Sequence, residues 1–577
     1  MKRMKITTSI LLATVALGAC GSETEQAAST EAQTATWEEF AATTISDYYA
    51  RNPEIAVYAG LHEYDGNMSD FNLAAAEEYA QWIDDIVRAA ESYDGIDGIE
   101  AFERDYMINV LRGEQFWIRD SGFLLNNPVY YAYALDMDTY IDREYAPIEE
   151  RIVAYTQYVT KIPNMLRTMQ DNLQPPLPAP YIETAKNIFA GMADYMQNTV
   201  PGLFAAVEDE QLQRQFAVAN SAAAVAASHS AMWLTSLRST ATDDYAIGEE
   251  NFLKMLSTNE GVDISLADLK AAGELDIERN LDMLVAACAE FAPGESTKDC
   301  VLKVQGRKPP DGVVAGATRQ LPGLRKFIED NNIVSIPGTE EALVAEAPPH
   351  RRSNLAYIEI PGPFETGLPS VYYIAPPDPT WSEEDQLAYI QGEAELQDVT
   401  VHEVWPGHFL QFLHANRAEN NVGQHFWTYS FVEGWAHYTE QMMLDAGLGD
   451  GDPELRIGQL LKALLRNVRY LSAIGLHVEG MTVEESHAMF EQKAFRDFGN
   501  ASQQAYRGTY DPGYLNYTLG KLMINKLRKD WTTGRGGEEA WGKFHDQFLS
   551  YGSPPVPLIR ELMLGDEYDG DTALLPH

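Results

Sequence analysis

The feature that most limits what this chain can fold into is the helical spacing of its apolar residues. In five long stretches apolar residues recur every three or four positions, which is the repeat of a helix with one buried face. These stretches span residues 73–90, 148–171, 182–196, 221–237 and 266–291. The pattern predicts a mainly α-helical protein.

Proline-rich segments divide this helical pattern at residues 175–180, 309–310 and 348–349. We place the main boundary near residue 345. This gives an N-terminal helical lobe at 37–345 and a C-terminal catalytic lobe at 346–577, which contains the chemically distinctive residues.

Residues 402–408, His-Glu-Val-Trp-Pro-Gly-His, combine the residue types of a catalytic zinc site. Imidazole and carboxylate bind zinc, and a Glu beside the first His can accept a proton from water. Because His402 and His408 are six residues apart, a regular helix would turn one about 240° from the other, too far for both to bind one ion. Pro406 interrupts helical hydrogen bonding and Gly407 permits unusual dihedral angles, so this pair is predicted to bend the chain and bring His408 back.

A later segment, residues 431–444, is predicted to form a helix with Glu433, His437 and Glu440 on one face. Buried His and Glu residues can instead be held in hydrogen-bond networks without a metal. The two segments together favour a zinc hydrolase over that alternative.

The same segments carry a family resemblance. His-Glu-x-x-Pro-Gly-His-x-x-Gln, residues 402–411, and Glu-Gly-Trp-Ala-x-Tyr-x-Glu, residues 433–440, resemble the domain-of-unknown-function 885 family of bacterial lipoproteins. The likeness runs from about residue 37 to about residue 564 and includes Gly475-Leu476-His477 and residues 512–520.

This resemblance implies a multi-helical zincin-like fold with one Zn²⁺ per chain. The ion would be held by His402, His408 and Glu433, with Glu403 as general base. The resemblance further implies a peptidase similar to the thimet oligopeptidase and oligopeptidase F group.

In that group tyrosines near the C-terminus face the substrate, and Tyr510, Tyr514 and Tyr517 are similar to that cluster. Two positions depart from the family pattern. Phe409 stands where many relatives have a second His, and Tyr514 replaces the usual Gln after Pro-Gly.

Further roles follow from the proposed zinc site. Tyr517 or His477 would donate a hydrogen bond to the developing oxyanion. Arg466 and Arg469 are candidates to bind a substrate carboxylate, although a solvated or ion-paired Arg is the alternative. Glu440 is predicted to orient a ligand His, and His437 either joins that contact or only packs.

A short β-hairpin is predicted before the metal segment, from residues 355–360 and 371–374, which are β-branched and aromatic between Pro and Gly. An exposed edge of this hairpin could bind an extended peptide through backbone hydrogen bonds. Alternatively, the hairpin only packs on helices.

The N-terminus predicts export. Basic residues precede an apolar run at 6–19 that is too short to span a bilayer, so residues 1–19 form a lipoprotein signal peptide, and Leu17-Gly18-Ala19-Cys20 is typical of a lipidation site. An ordinary secretory signal containing a Cys is the alternative. Residues 20–36 would be a flexible tether to the bacterial outer membrane on its periplasmic face. Cys288 and Cys300 would form a disulfide there, or remain two unpaired thiols.

The net charge of −44 excludes nucleic acid as a partner, since phosphate would be repelled. The chain is therefore interpreted as a lipid-anchored zinc metallopeptidase acting on short peptides. Two alternatives stay open: a lipid-anchored binding or assembly protein with a non-catalytic metal site, and a zinc hydrolase of non-peptide amides or esters.

Overall fold

The computed structural model describes residues 35–348, 351–352, 355–567 and 574–576. They form a mainly α-helical protein with one small β-sheet, which confirms the predicted fold class. The predicted signal peptide, Cys20 and most of the predicted tether lie outside the described residues. In the described part, no helix combines the length and the apolar composition needed to cross a bilayer.

The helices described before residue 342 are α1 (Trp37–Arg51), α2 (Pro53–Ala59), α3 (Leu73–Glu91), α4 (Gly98–Arg119), α5 (Phe123–Asn126), α6 (Pro128–Tyr133), α7 (Asp138–Asp142), α8 (Ile148–Val159), α9 (Ile162–Asn172), α10 (Ala179–Asn198), α11 (Val200–Leu203), α12 (Glu210–Leu237), α13 (Gly248–Glu260), α14 (Leu266–Phe291), α15 (Thr297–Gln305) and α16 (Val313–Asp330).

The strands β1 (Ala342–Glu346), β2 (Ala356–Glu359) and β3 (Ser370–Ile374) follow. After them come α17 (Glu383–Tyr389), α18 (Glu393–Glu403), α19 (His408–Ala415), α20 (Tyr429–Asp445), α21 (Pro453–Ile474), α22 (Val483–Lys493), α23 (Phe498–Tyr510), α24 (Asn516–Thr532), α25 (Trp541–Leu549) and α26 (Val556–Leu564).

All five predicted helical stretches are helical, and α14 has the predicted bounds. Its start is fixed by Ser265, whose side chain accepts a hydrogen bond from the backbone N–H of Asp268. The stretch 148–171 forms two helices, α8 and α9, with a break at residues 160–161. Pro163 lies in the first turn of α9, where its missing N–H is tolerated, whereas one continuous helix would need that hydrogen bond.

The predicted hairpin is confirmed, because β2 pairs antiparallel with β3 and places Tyr357 opposite Tyr373. The sheet also contains β1, which pairs parallel with the other side of β3, giving the order β1-β3-β2. β1 was not predicted from the sequence, because Ala and Glu are weak strand formers. β2 is therefore an edge strand.

Within the described ranges, buried apolar side chains form two clusters. The large core takes its members mainly from α1, α3, α4, α13–α16 and α18–α26, and the small core mainly from α5–α12. The large core contains side chains from both sides of residue 345, so the division between the two cores does not coincide with the predicted lobe boundary. That boundary stays a prediction.

Cys288, in α14, and Cys300, in α15, form a disulfide with their Cα atoms 5.8 Å apart. This is the predicted pairing. It fixes α15 against the end of α14, and both helices belong to the large core.

Candidate metal centre

The predicted break between the two histidines is present. α18 ends at Glu403, and α19 begins at His408. Between them the Trp405–Pro406 peptide bond is cis, and the backbone N–H of Gly407 donates to the carbonyl of Val401 at 3.0 Å. The chain thus turns back on the end of α18, as the Pro-Gly pair predicted.

Position 407 must be glycine because there is no room for a side chain. A Cβ atom built at this position would overlap the carbonyl oxygen of His402, and backbone cannot move aside as a flexible side chain can. The turn is also held from outside, because the indole N–H of Trp435 on α20 donates to the carbonyl of Pro406 at 2.9 Å. The backbone between the two histidines is therefore closely defined.

The turn brings three predicted ligands together. His402 Nε2 lies 3.4 Å from Glu433 Oε2, and His408 Nε2 lies 3.3 Å from the same oxygen. All three ligand atoms lie within 4.8 Å of one another, and His402 and His408 are buried. Zinc at about 2.0–2.1 Å from tetrahedral ligands holds them about 3.3–3.4 Å apart, so the spacing suits that ion.

The hydrogen bonding at the cluster also fits a cation. His402 Nδ1 lies 2.7 Å from Glu440 Oε1, and a carboxylate only accepts, so Nδ1 is the donor in this contact; in the neutral imidazole Nε2 then carries the lone pair. Among the described residues, the buried Oε2 of Glu433 has no hydrogen-bond donor. A metal ion can take the place of the missing donors, because it binds acceptor atoms that converge on one point.

Glu440 organises the back of the cluster. Besides His402, it accepts from His437 Nδ1 at 3.0 Å and pairs with Arg466 Nη2 at 2.8 Å. Burial alone would raise the pKa of Glu440, but Arg466 and the two histidines hold it well below the usual range. Burial lowers the pKa of His437 to about 3, so this imidazole is neutral. The predicted orienting role of Glu440 fits this geometry.

Replacing Glu440 with Gln is expected to weaken zinc binding by about 10-fold to 100-fold, the usual effect of losing a carboxylate that orients a ligand His. The reason is that a neutral amide no longer fixes the proton on His402 Nδ1. Competition with a chromogenic zinc chelator measures the change.

The control is Asp445→Asn, which removes one exposed carboxylate from the end of the same helix, where its partner is Arg456. Zinc affinity should be unchanged in this variant. Equal affinities of Glu440→Gln and the unaltered protein would show that Glu440 does not support the ligand.

The cluster lies in the wall of a cavity of about 2120 Å³. Glu403 and the three proposed ligands line it, together with residues of β2 and of the N-terminal helices. Burial raises the pKa of Glu403 above its ordinary value. A carboxylate of raised basicity next to the cluster is suited to accept a proton.

Tyr517 also lines this cavity. Its ring stacks on that of His402 with centroids 6.4 Å apart, and burial raises the pKa of its hydroxyl, which therefore stays protonated. Tyr517 reaches this position because α20 and α24 pack closely through Gly434 and Gly520, where any Cβ would strike the opposite backbone. A protonated hydroxyl can act as a hydrogen-bond donor.

Three candidate residues are placed differently from the prediction. His477 is buried in a π-helical turn at Gly475–Glu479, where its Nε2 bonds the carbonyl of Gly508 at 2.7 Å and its ring stacks on Phe252, outside the cavity lining. It cannot donate to an oxyanion from there. Tyr514 is fully buried with its hydroxyl against Gly508, so it does not contact substrate.

Arg466 is the third of these residues. Its guanidinium is used by the ion pair with Glu440, which makes it part of the support of the cluster. Arg469 and Tyr510 line the cavity, and their contact with substrate stays a prediction. Phe409 packs on Trp405 with ring centroids 5.0 Å apart, so this departure from the family pattern has a packing role.

Three further residues of the cavity wall were not predicted from the sequence: Tyr429, Gln504 and Arg507. Arg507 donates to Asp511 at 2.9 Å and to the hydroxyl of Tyr429 at 2.8 Å. One of the three carried a usable signal, since Tyr429 precedes Glu433 by four residues and so shares its helix face.

Residues 53–563 match a protein family described as "Bacterial protein of unknown function (DUF885)". A comparison with curated protein sequences gave no significant match.

Two solved structures have a similar fold. One, from Shewanella oneidensis, is described as a candidate lipoprotein of unknown function and has a TM-score of 0.77 and 23% identity, covering 92% of this chain and 100% of its own. The other, a candidate lipoprotein from Colwellia psychrerythraea, has a TM-score of 0.75 and 16% identity, covering 91% and 98% respectively. At these identities the likeness shows the fold alone. The wider likeness to thimet oligopeptidase and oligopeptidase F stays a prediction.

Proposed function

This chain belongs to the DUF885 family of bacterial proteins of unknown function, and we propose that it is a zinc-dependent hydrolase that cleaves short peptides. The observation that carries this proposal is the convergence of His402, His408 and Glu433 in a cavity wall, with their ligand atoms within 4.8 Å of one another. The buried carboxylate of Glu403 lies beside them.

Zinc, when bound, would polarise a carbonyl group and lower the pKa of a water molecule. The protein's residues then have separate tasks. Glu403 accepts the proton of the attacking water and passes it to the leaving amine. The Tyr517 hydroxyl donates a hydrogen bond to the carbonyl oxygen as negative charge develops there. Glu440 keeps His402 in the tautomer and orientation in which Nε2 is a ligand.

Peptides suit the rest of the cavity. At about 2120 Å³ it exceeds the range of about 300–1,000 Å³ that is typical of small-molecule pockets. The edge strand β2 lies in its wall, and the free backbone groups of an edge strand can pair with an extended peptide. Because the cavity is walled by N-terminal helices as well as by the metal segment, folded proteins should be excluded.

The test combines metal analysis with digestion of a peptide library by the purified protein. We expect about one zinc per chain, cleavage of short peptides, loss of cleavage with a chelator and recovery when zinc is added back. Folded proteins should resist digestion. Zinc without cleavage of any peptide would contradict the proposal and favour a binding or assembly protein, whereas cleavage of esters alone would favour the smaller-substrate alternative.

We also propose that the chain is anchored through a lipid on Cys20 at the outer membrane, facing the periplasm. The description of two proteins that share the fold as candidate lipoproteins supports the lipid anchor. Cell fractionation that recovers the protein without detergent, free of membranes, would contradict it.

A further inference from the structure

We propose that Arg469 binds the free C-terminal carboxylate of the peptide substrate, so that the enzyme removes short pieces from the carboxyl end of peptides. This inference rests on the proposed function and adds to it the substrate class and the direction of cleavage. Water supplies a hydroxyl group to the acyl carbon and a proton to the leaving amine, so the reaction needs no other co-reactant.

Arg469 stands beside the metal cluster on α21. Its guanidinium carbon lies 4.7 Å from the centre of the Tyr517 ring, and that ring stacks on His402. The Tyr517 ring thus lies next to both the guanidinium of Arg469 and the ring of one proposed ligand. Arg469 and Tyr517 line the same cavity as Glu403.

Three arginines surround the Tyr517 ring, and two of them are neutralised by carboxylates. Arg466 pairs with Glu440 at 2.8 Å, and Arg507 pairs with Asp511 at 2.9 Å. These two arginines therefore leave no charge for a substrate.

Arg469 is different from both. Among the described residues it has no carboxylate within ion-pair distance, and the side-chain hydrogen bond of its guanidinium runs from Nε to the neutral amide of Gln504 at 2.8 Å. A buried cation without a counter-ion is unfavourable unless a ligand supplies one. Gln504 holds Nε in place, so the terminal nitrogens can face a carboxylate with both donors, the arrangement in which Arg binds carboxylates best.

The distances limit how much of the peptide lies between the cleaved bond and its carboxyl end. The guanidinium carbon of Arg469 lies 4.7 Å from the centre of the Tyr517 ring, and that centre lies 6.4 Å from the centre of the His402 ring. The distance from the guanidinium to the His402 ring therefore cannot exceed the sum of these two. An extended peptide advances about 3.3 Å per residue, so this span accommodates at most about three residues. The released product is therefore expected to be a single amino acid, a dipeptide or a tripeptide.

The first experiment uses unaltered protein and pairs of peptides that differ only at the C-terminus, which is either a free carboxylate or an amide. We expect the amide to lower kcat/KM by about 30-fold, as expected for losing one charge-assisted contact. Mass spectrometry should show products shortened from the carboxyl end. Equal cleavage of both peptides at internal bonds would overturn the role of Arg469 while leaving a zinc peptidase in place.

The second experiment measures binding without turnover. Fluorescence anisotropy with N-terminally labelled peptides is measured on four chelator-treated proteins: the unaltered protein, Arg469→Gln, Arg469→Lys and the control Arg456→Gln. The control changes the same residue type near the other end of α21. The free-acid peptide should bind more tightly than its amide to the unaltered protein and to the control. Arg469→Gln should bind both peptides equally, and Arg469→Lys should recover part of the preference because charge remains but the paired donors do not.

The two experiments separate the two proposals. If no peptide is hydrolysed but the carboxylate preference in binding depends on Arg469, the proposed hydrolysis fails and the binding site stands. If Arg469→Gln keeps the full preference for the free acid, the assignment of Arg469 is overturned whatever the activity.

Discussion

Changing Glu403 to Gln is expected to lower peptide hydrolysis by about 10³-fold while leaving zinc binding intact. A general base contributes about 10²–10⁴-fold, and an amide of the same shape cannot accept the proton of water. The three proposed ligands do not include Glu403, so the metal should stay. Zinc content by atomic absorption and kcat/KM on one peptide, measured on the same preparation, test both halves of this result.

A matched control is Glu393→Gln, which removes a carboxylate from the other end of α18. Glu393 is paired with Arg319 rather than with the metal cluster. This variant should keep zinc and activity. If Glu403→Gln cleaves peptides at the unaltered rate, Glu403 is not the base. If it loses zinc as well, then Glu403 belongs to the ligand set and the assignment of Glu433 needs revision.

Gly407→Ala is expected to have the second large effect, on metal binding and on stability together. The new methyl group would overlap the His402 carbonyl, and the neighbouring turn is held by Trp435, so the backbone between the two histidines must shift. Overpacking of this kind costs about 1–3 kcal/mol of stability. Because the shift separates two ligands of one ion, zinc affinity should fall by at least about 100-fold. Chelator competition and thermal unfolding, each with and without zinc, measure these changes.

Gly191→Ala is the control for this change. Gly191 is exposed on α10, and a Cβ there would meet no other atom within 4 Å. This substitution should leave zinc binding unchanged and raise the free energy of unfolding slightly, since Ala is the better helix former by about 1 kcal/mol. Normal zinc affinity in Gly407→Ala would mean that the turn adapts, and the close approach to His402 would then have no role in placing the ligands.

The ligand cluster could be predicted from the sequence because its geometry is local. His402 and His408 are joined by a turn whose residues, Pro406 and Gly407, leave the backbone few choices. Glu433 and Glu440 follow on one helix, where spacing fixes the shared face. Only the packing of α18 against α20 is needed to complete the cluster.

The residues around the cluster are placed by contacts between segments that are distant in the chain. Their positions could therefore not be predicted from the sequence as well as those of the ligands. Arg466 and Arg469 are one turn apart on α21 and looked equivalent. The difference between them arises from α20, which supplies Glu440 to one, and from α23, which supplies only Gln504 to the other. His477 was misplaced for a related reason, since the π-helical turn that contains it directs its ring toward Phe252.

The make-up of the large core has a consequence for how the protein is produced. Buried residues of α4 such as Tyr106 share this core with Ile559 of α26, and the Tyr106 hydroxyl donates to the carbonyl of Phe426. At about 5–20 residues per second, α26 leaves the ribosome tens of seconds after α4. During that interval the part of α4 that packs on α26 stays exposed to water, so the large core cannot be completed until nearly the whole chain has been made.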